Sequence, residues 1–164
     1  MNYRSLKVDT APTTPLFTTA EAKDFLKVDT TADDTLIDNL VIAATESCQI
    51  YTNQYFIRHT VSQYSDTWAG IYTLYKSPVS AITHIKYYDS DDTEQTLSSS
   101  NYILDDVSNP ARIGLAVDGT LPNLSDRINA VHVKYTVGYG TASTDVPDGI
   151  KSAVLITLAN LYEN

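Results

Sequence analysis

Hydrophobic residues recur with a helical period over the first third of the chain. The pattern Thr18-x-x-Glu21 is typical of a capping box, in which each side chain bonds the other residue's backbone amide. The apolar positions that follow lie on one side of a helix and predict a first helix over about residues 18–27. A short polar connection then leads into a longer helix, predicted over about residues 32–55.

The second predicted helix combines an apolar stripe with an acidic start. Asp33, Asp34 and Asp38 lie in its first turns, where the helix dipole favours negative charge. Asn53 suits the left-handed conformation that ends a helix. No lysine, arginine or histidine occurs in residues 28–57, so the exposed face is expected to be neutral to acidic. The stripe that we expect to be buried consists of Leu36, Ile37, Leu40, Val41, Ala44, Cys48, Tyr51 and Tyr55.

Beyond Ile57 the hydrophobic period changes to two, which is typical of strands. Asp89 begins an acidic segment that reads as a turn. The β-rich region is predicted over about residues 57–137, with the longest alternation at its end. The expected strands cover residues 57–61, 71–75, 82–88, 93–97, 102–104, 112–116 and 128–137.

A last helix is predicted over about residues 147–162. Pro147 suits its first position, where a missing amide proton is not needed. Leu155, Ile156 and Ala159 widen the apolar arc, so we expect part of this helix to contact another subunit. The pattern predicts an α+β fold in which the N-terminal helical pair and the C-terminal helix pack together around an inserted antiparallel β-rich region.

The predicted organisation is one domain over residues 18–164, preceded by an extended arm. Residues 1–17 carry Pro12 and Pro15 among threonines, and proline withholds a backbone donor. We do not expect this arm to order by itself. It is either a flexible segment or, as the sharper hypothesis, a segment that orders against a neighbouring subunit.

Composition narrows the class of protein. Hydrophobic residues make up 43% of the 164 residues and charged residues 19%, which is typical of a globular chain. The net charge is −9 and the eleven basic residues are scattered, so a nucleic-acid or anionic membrane surface is not predicted. No secretory signal and no apolar run of bilayer length are evident. The single cysteine, Cys48, forms no internal disulfide, which fits assembly in a reducing cytosol.

The sequence contains no pattern that predicts catalysis, a cofactor or a metal. His59, His84 and His132 fall on separate predicted strands without metal-ligand spacing. The acidic segment from Asp89 fails as a calcium loop, because Ser100 occupies the position of the bidentate glutamate. Nucleophile elbows, P-loops and dinucleotide-binding glycine patterns do not occur. We therefore expect a protein that is not an enzyme.

An alternative reading uses the aromatic residues. Trp68 and twelve tyrosines are compatible with a small β-rich module of a tail that binds glycans or peptides. Tyrosines at period two also line sheets and protein interfaces, which is the simpler interpretation.

Positions at both ends of the chain and in one central strand form a recognisable set. In combination they resemble the gp6-like head–tail connector family (adaptor or head-completion proteins) of tailed bacteriophages. Asn53 and Asp92 depart from it, since the family often has glycine at both. The matching positions are Ala22-Lys23, Leu26, Val28, Asp33-Asp34, Ile37, Leu40-Val41, Ala43-Ala44 and Tyr51-Thr52, then Val79 to Asp89, Gly138-Tyr139, Val146-Pro147, Ile150-Lys151, Ala153 and Leu161 to Asn164.

The resemblance implies a structural virion protein at the head–tail interface, assembled in the host cytoplasm. It implies a homo-oligomeric ring of about a dozen copies beneath the portal protein. Such a ring extends the DNA channel, lets genomic DNA pass without specific binding, and carries a neck, stopper or tail-completion protein. It implies no cofactor and no membrane.

Two sets of residues are expected to serve this role. The first set is expected to contact neighbouring subunits or portal, and the second to face the lumen or solvent. The contact set is Tyr3, Leu6, Leu16, Phe17, Leu155, Ile156, Leu161 and Tyr162. The acidic set is Asp34, Asp38, Asp91 and Asp92.

Overall fold

The computed structural model describes residues 5–163, which divide into two compact units. The β unit comprises the chain up to Ala11 together with Arg58–Gly138. The helical unit comprises Pro12–Ile57 together with the segment from Tyr139 onward. The mixed α+β class, with an antiparallel region inserted between the N-terminal and C-terminal helices, is confirmed.

Three α-helices build the helical unit within the described residues: α1 (Thr19–Leu26), α2 (Asp34–Thr52) and α3 (Asp148–Glu163). The capping box before α1 is present. The Thr18 hydroxyl accepts a bond of 3.2 Å from the amide of Glu21, whose carboxylate accepts one of 2.8 Å from the amide of Thr18. These reciprocal bonds satisfy two amides that the helix itself leaves unpaired.

Two of these helices meet across the core of the helical unit. Ile37, Val41 and Ala44 of α2 lie in the same buried cluster as Val154 and Leu158 of α3. The remaining buried members are Leu16, Phe17, Ala22, Phe56, Ile57 and Val146. This cluster is where the helical unit buries its apolar surface.

The expected stripe of α2 is partly wrong. Leu36 is 50% exposed and Tyr51 is 93% exposed, although their spacing suggested burial. The buried arc is narrower because only Ile37, Val41 and Ala44 face the core directly, while Leu40 and Cys48 pack at its margin. Asn53 ends the helix in the predicted left-handed conformation, with φ of 55°.

The main sheet of the β unit has the order β1-β2-β7-β3-β4, and all its neighbours are antiparallel. A second sheet pairs β5 with β6. The strands are β1 (Ser5–Thr10), β2 (His59–Ser65), β3 (Val79–Tyr88), β4 (Glu94–Thr96), β5 (Tyr102–Asp105), β6 (Arg112–Leu115) and β7 (Val131–Val137). Alternating residues of β7 (Val131, Val133, Tyr135 and Val137) are fully buried, as the period of two requires.

The N-terminal segment differs from the predicted arm. Residues 5–10 form strand β1, which pairs with β2 in a register that places Ser5 opposite Tyr64. Leu16 and Phe17 are buried in the helical core of the same chain. Pairing with a strand more than 50 residues away orders this segment, which local sequence cannot reveal.

The predicted strand over residues 71–75 is also corrected. A 3-10 turn occupies Trp68–Ile71, and Thr73 makes only an isolated bridge to Arg112. The Gln63 amide bonds the backbone of this segment instead: its Nε2 donates to the Thr73 carbonyl and its Oε1 accepts from the Tyr75 amide, each at 3.0 Å. The segment also pairs with the backbone near β6, where the Leu74 amide donates to the Ala111 carbonyl and the Ile113 amide donates to the Tyr72 carbonyl. The Gln63 side chain thus adds two partners for backbone groups that these bonds do not reach.

Candidate assembly surface

The exposed side of α2 carries large apolar side chains. Leu36 and Ile50 are spaced fourteen residues apart, about four helical turns, so they lie on nearly the same line along the helix. Ile42 lies beside this line and is 53% exposed, while Ile50 is 77% exposed. Ile42 and Ile50 were not among the contact residues predicted from the sequence. Their positions outside the predicted buried stripe already placed both on the exposed side of the helix.

The last helix presents a different exposed side. Ile156 is 65% exposed and stands among the small exposed residues Gly149, Ser152 and Ala153. Leu161 is also exposed, near the end of α3. Spare apolar surface on this helix therefore exists, as its wide apolar arc suggests.

Other expected contact residues are less available. Leu155 packs against the helical core. Tyr162 is half-buried, and its hydroxyl donates a bond of 3.0 Å to the Asp33 carboxylate. Leu6 is half-buried in β1. Leu16 and Phe17 lie inside the core, where they serve the fold of their own chain, and Tyr3 lies outside the described residues.

Negative charge is concentrated in the helical unit. Its segments contain three basic and ten acidic residues, a formal charge of −7. Those of the β unit contain eight basic and ten acidic residues, a formal charge of −2. The two units therefore present very different electrostatic environments to a partner.

The acidic residues of α2 differ in their partners. Asp34 is bound by the Lys23 ammonium at 2.7 Å, so its charge is compensated. Asp38 accepts a bond of 2.6 Å from the Thr19 hydroxyl, which leaves its negative charge in place. Asp38 is exposed on the surface.

The acidic turn after β3 is organised by its own side chains. The Asp89 carboxylate accepts bonds from the amides of Asp91 and Thr93, at 3.1 and 3.0 Å, and the Thr93 bond contributes most to lowering the pKa of Asp89. Asp92 has φ of 57°, the left-handed conformation that explains why glycine is common there. Its carboxylate binds Arg127 at 3.1 Å. Asp91 is exposed, while Asp89 and Asp92 are engaged in the turn.

A polar network crosses the main sheet. The Ser62 hydroxyl donates a bond of 2.5 Å to the Asp9 carboxylate, and its oxygen lies 2.9 Å from Nε2 of His132. Because the single Ser62 proton is given to Asp9, Nε2 of His132 is the protonated nitrogen that donates to Ser62. Lys134 contacts Asp9 at 3.4 Å.

This network lacks the arrangement of a nucleophilic catalyst. A serine hydrolase places its histidine between the serine and the aspartate. Here Ser62 stands between Asp9 and His132 and is 1% exposed, so its oxygen can reach no substrate. The network is therefore a structural link across three strands.

His84 extends the same network. Its ring lies edge-on to His132 with centroids 5.3 Å apart, and its Nε2 is buried without a hydrogen-bond partner in the described residues. Burial lowers the pKa of both histidines, and nearby Lys86 lowers that of His84 further. Both rings are thus favoured in the neutral form.

Trp68 is committed to the fold. Its indole nitrogen donates a bond of 2.9 Å to the Pro122 carbonyl, and its ring lies 5.4 Å from that of Tyr87. Because its indole nitrogen is hydrogen-bonded and its ring packs against Tyr87, Trp68 is not free to stack on a sugar.

Within residues 5–163 no group of three histidine, cysteine or acidic side chains is placed to hold a metal ion. No helix in that range has the length and apolar character needed to cross a bilayer.

Comparison with solved structures identifies the fold. Over 97% of its length, the chain matches a chain in the virion of a native gene transfer agent (GTA) particle, with a TM-score of 0.80 and 22% identity, covering 84% of that chain. It also matches chains in the neck of the empty GTA particle, computed with C6 symmetry (TM-score 0.79), and of the native particle, computed with C12 symmetry (TM-score 0.78). Each of these neck matches has 21% identity and covers 98% of this chain and 84% of the other.

No protein-family model matches the sequence of the chain, and no curated protein matches it either. The resemblance to the gp6-like family therefore stays a prediction. The shared architecture is established: this chain has the fold of chains found in the neck of a gene transfer agent particle.

Proposed function

We propose that this chain is a structural subunit of the neck of a phage-like particle, where copies of it form a ring beneath the portal and extend the DNA channel. One observation carries the proposal: the fold match to neck chains extends over 97–98% of this chain, so both units are included. A match to one unit alone would support only a shared module.

Ring formation is the first part of the proposal. The matching neck structures were computed with C6 and C12 symmetry, which supports an arrangement of about a dozen copies. A cyclic ring needs two different faces that fit each other. The exposed apolar residues of α3, Ile156 and Leu161, are our candidates for contacts with a neighbouring copy or with portal.

Passage of DNA is the second part. A channel that transmits the genome should not hold it, and phosphate binding requires clustered lysine and arginine. The helical unit carries a formal charge of −7, and at least eight basic side chains in residues 5–163 form ion pairs with carboxylates of the same chain. We propose that exposed acids such as Asp38 and Asp91 face the lumen or solvent. The opposite end of the ring would carry a neck, stopper or tail-completion protein.

The test is electron microscopy and mass photometry of the purified chain, alone and mixed with purified portal protein. We expect closed rings that dock on portal, with the helical unit or the acidic turn lining the passage. A particle that stays monomeric with portal and instead binds members of a glycan array would favour the alternative of a recognition module. A ring whose passage is lined by lysine and arginine would contradict the DNA-channel part.

A further inference from the structure

The exposed side of α2 has the form of a docking surface. Leu36, Ala43 and Ile50 recur every seven residues, so they follow one line about 21 Å long on the helix. Ile42 flanks Ala43 and adds apolar area. We call these four residues, with Asp38 and Glu46, the α2 face.

Charge on this face has a single sign. Asp38 and Glu46 are both exposed, and Glu46 lies between Ile42 and Ile50 in the helical projection. The whole segment from Val28 through Ile57 contains no basic residue that would compensate them. Apolar side chains bordered by carboxylates fit a partner with apolar side chains bordered by lysine or arginine.

A second copy of this chain fits the face poorly. Pairing the α2 face with itself would set Asp38 and Glu46 of both copies against each other, and like charges in contact oppose association. The basic residues elsewhere are mostly engaged, since at least eight of those that the structure describes form ion pairs within their own chain. Compensation by any of these eight side chains of another copy would require breaking such a pair.

We propose that the α2 face binds a different protein through a cationic amphipathic segment, whose apolar side chains cover the Leu36–Ala43–Ile50 line and whose basic side chains meet Asp38 and Glu46. An amphipathic helix that docks on a partner carries apolar anchor residues three, four and seven positions apart, and Leu36, Ala43 and Ile50 are also seven residues apart. The inference does not require the ring, because it concerns a different partner. It does place Asp38 on the solvent side, where that partner can reach it.

The probe is a synthetic amphipathic helix of leucine and lysine, compared with the same peptide in which glutamate replaces each lysine. Binding is measured by fluorescence anisotropy, and the contact is mapped on the wild-type chain by NMR chemical-shift changes. We expect saturable binding of the lysine peptide, shifts confined to α2, and weaker binding at high salt. Equal binding of both peptides, or shifts spread over the acidic surface, would overturn the proposal.

A matched pair of variants sharpens the test. The double variant Ile42→Asp/Ile50→Asp should weaken binding of the lysine peptide at least about tenfold, because it removes two central anchors. The control Ile156→Asp adds a charge at an equally exposed isoleucine on α3 and should leave binding unchanged. Equal loss in both variants would contradict a site on α2.

Ring assembly of the double variant separates this inference from the proposed function. We expect rings of Ile42→Asp/Ile50→Asp to form as well as those of the wild type. Loss of rings in this variant alone would show that a second copy occupies the α2 face and would overturn the inference. Absence of rings in every chain, with peptide binding intact, would instead count against the ring.

Discussion

Gln63 and Tyr75 are joined by a hydrogen bond of 3.0 Å, in which the side-chain oxygen of Gln63 accepts from the backbone amide of Tyr75. Gln63 is fully buried, and its amide nitrogen donates to the Thr73 carbonyl at the same distance. This one side chain thus connects the segment before β3 to the centre of β2.

Replacing Gln63 with leucine should destabilise the β unit. The change leaves two backbone groups without this partner, each of which costs about 1–3 kcal/mol when buried unsatisfied, so we expect a loss of about 2–4 kcal/mol. Urea denaturation followed by the fluorescence of Trp68, which lies in the β unit, measures it. Gln95→Leu, at an exposed glutamine of β4, is the control. Equal stability of the two variants would contradict the role of Gln63.

Stability should decrease as the pH is lowered from 7.5 toward 5. The pKa values of His84 and His132 are lowered by burial in the folded chain, so the unfolded chain binds more protons in the range below the ordinary histidine pKa of 6.5. The free energy of unfolding therefore rises with pH there. The charged groups that face the two histidines are Asp9, Glu94, Lys86 and Lys134. The carboxylates of Asp9 and Glu94 raise the histidine pKa values and so oppose part of the lowering by burial.

The double variant His84→Gln/His132→Gln isolates this contribution. Its free energy of unfolding should change less between pH 7.5 and 5 than that of the wild type, since two groups that bind protons on unfolding are gone. Urea denaturation at several pH values provides the comparison. A wild-type slope that survives in the double variant would assign the pH dependence to other groups.

The capping box should contribute to the stability of the helical unit. Thr18→Ala removes the hydroxyl that accepts from the Glu21 amide, and loss of such a cap costs about 1 kcal/mol. Thermal denaturation followed by far-ultraviolet circular dichroism reports the change. Thr35→Ala, at an exposed position within α2, is the control and should be neutral or slightly stabilising.

Asp105 of the β5–β6 hairpin should have an unusually low pKa. Hydrogen bonds from Ser108, followed by those from Arg112, lower its pKa to about 2. Ser108→Ala and Arg112→Met should therefore each raise the pKa of Asp105, because each removes a donor to its carboxylate. NMR titration of the carboxyl carbon measures both values. An unchanged pKa in either variant would contradict the role of that residue.

Local patterns in the sequence predicted the regular elements well where the physical cause is local. The capping box at Thr18 and the left-handed end at Asn53 depend on residues a few positions apart, and both are present. The alternation of β7 reflects a period that each strand carries in itself, and its four inward residues are fully buried. The start of α3 just after Pro147 has the same local origin.

Long-range contacts decided the rest. The pairing of β1 with β2 and the burial of Leu16 and Phe17 depend on partners far along the chain, so residues 1–17 read as an arm. Gln63 bonds the backbone of residues 73 and 75 through side-chain contacts that no local period encodes.

By itself the sequence determined the type and approximate place of most helices and strands, the acidic character of the helical segments and the absence of basic residues around α2. The tertiary structure alone decided which residues of the predicted stripe stay exposed. Leu36 and Tyr51 have the spacing of that stripe, and only the packing of α2 against α3 shows that the buried arc excludes them. Exposure is a property of what covers a residue, and the covering elements come from distant parts of the chain.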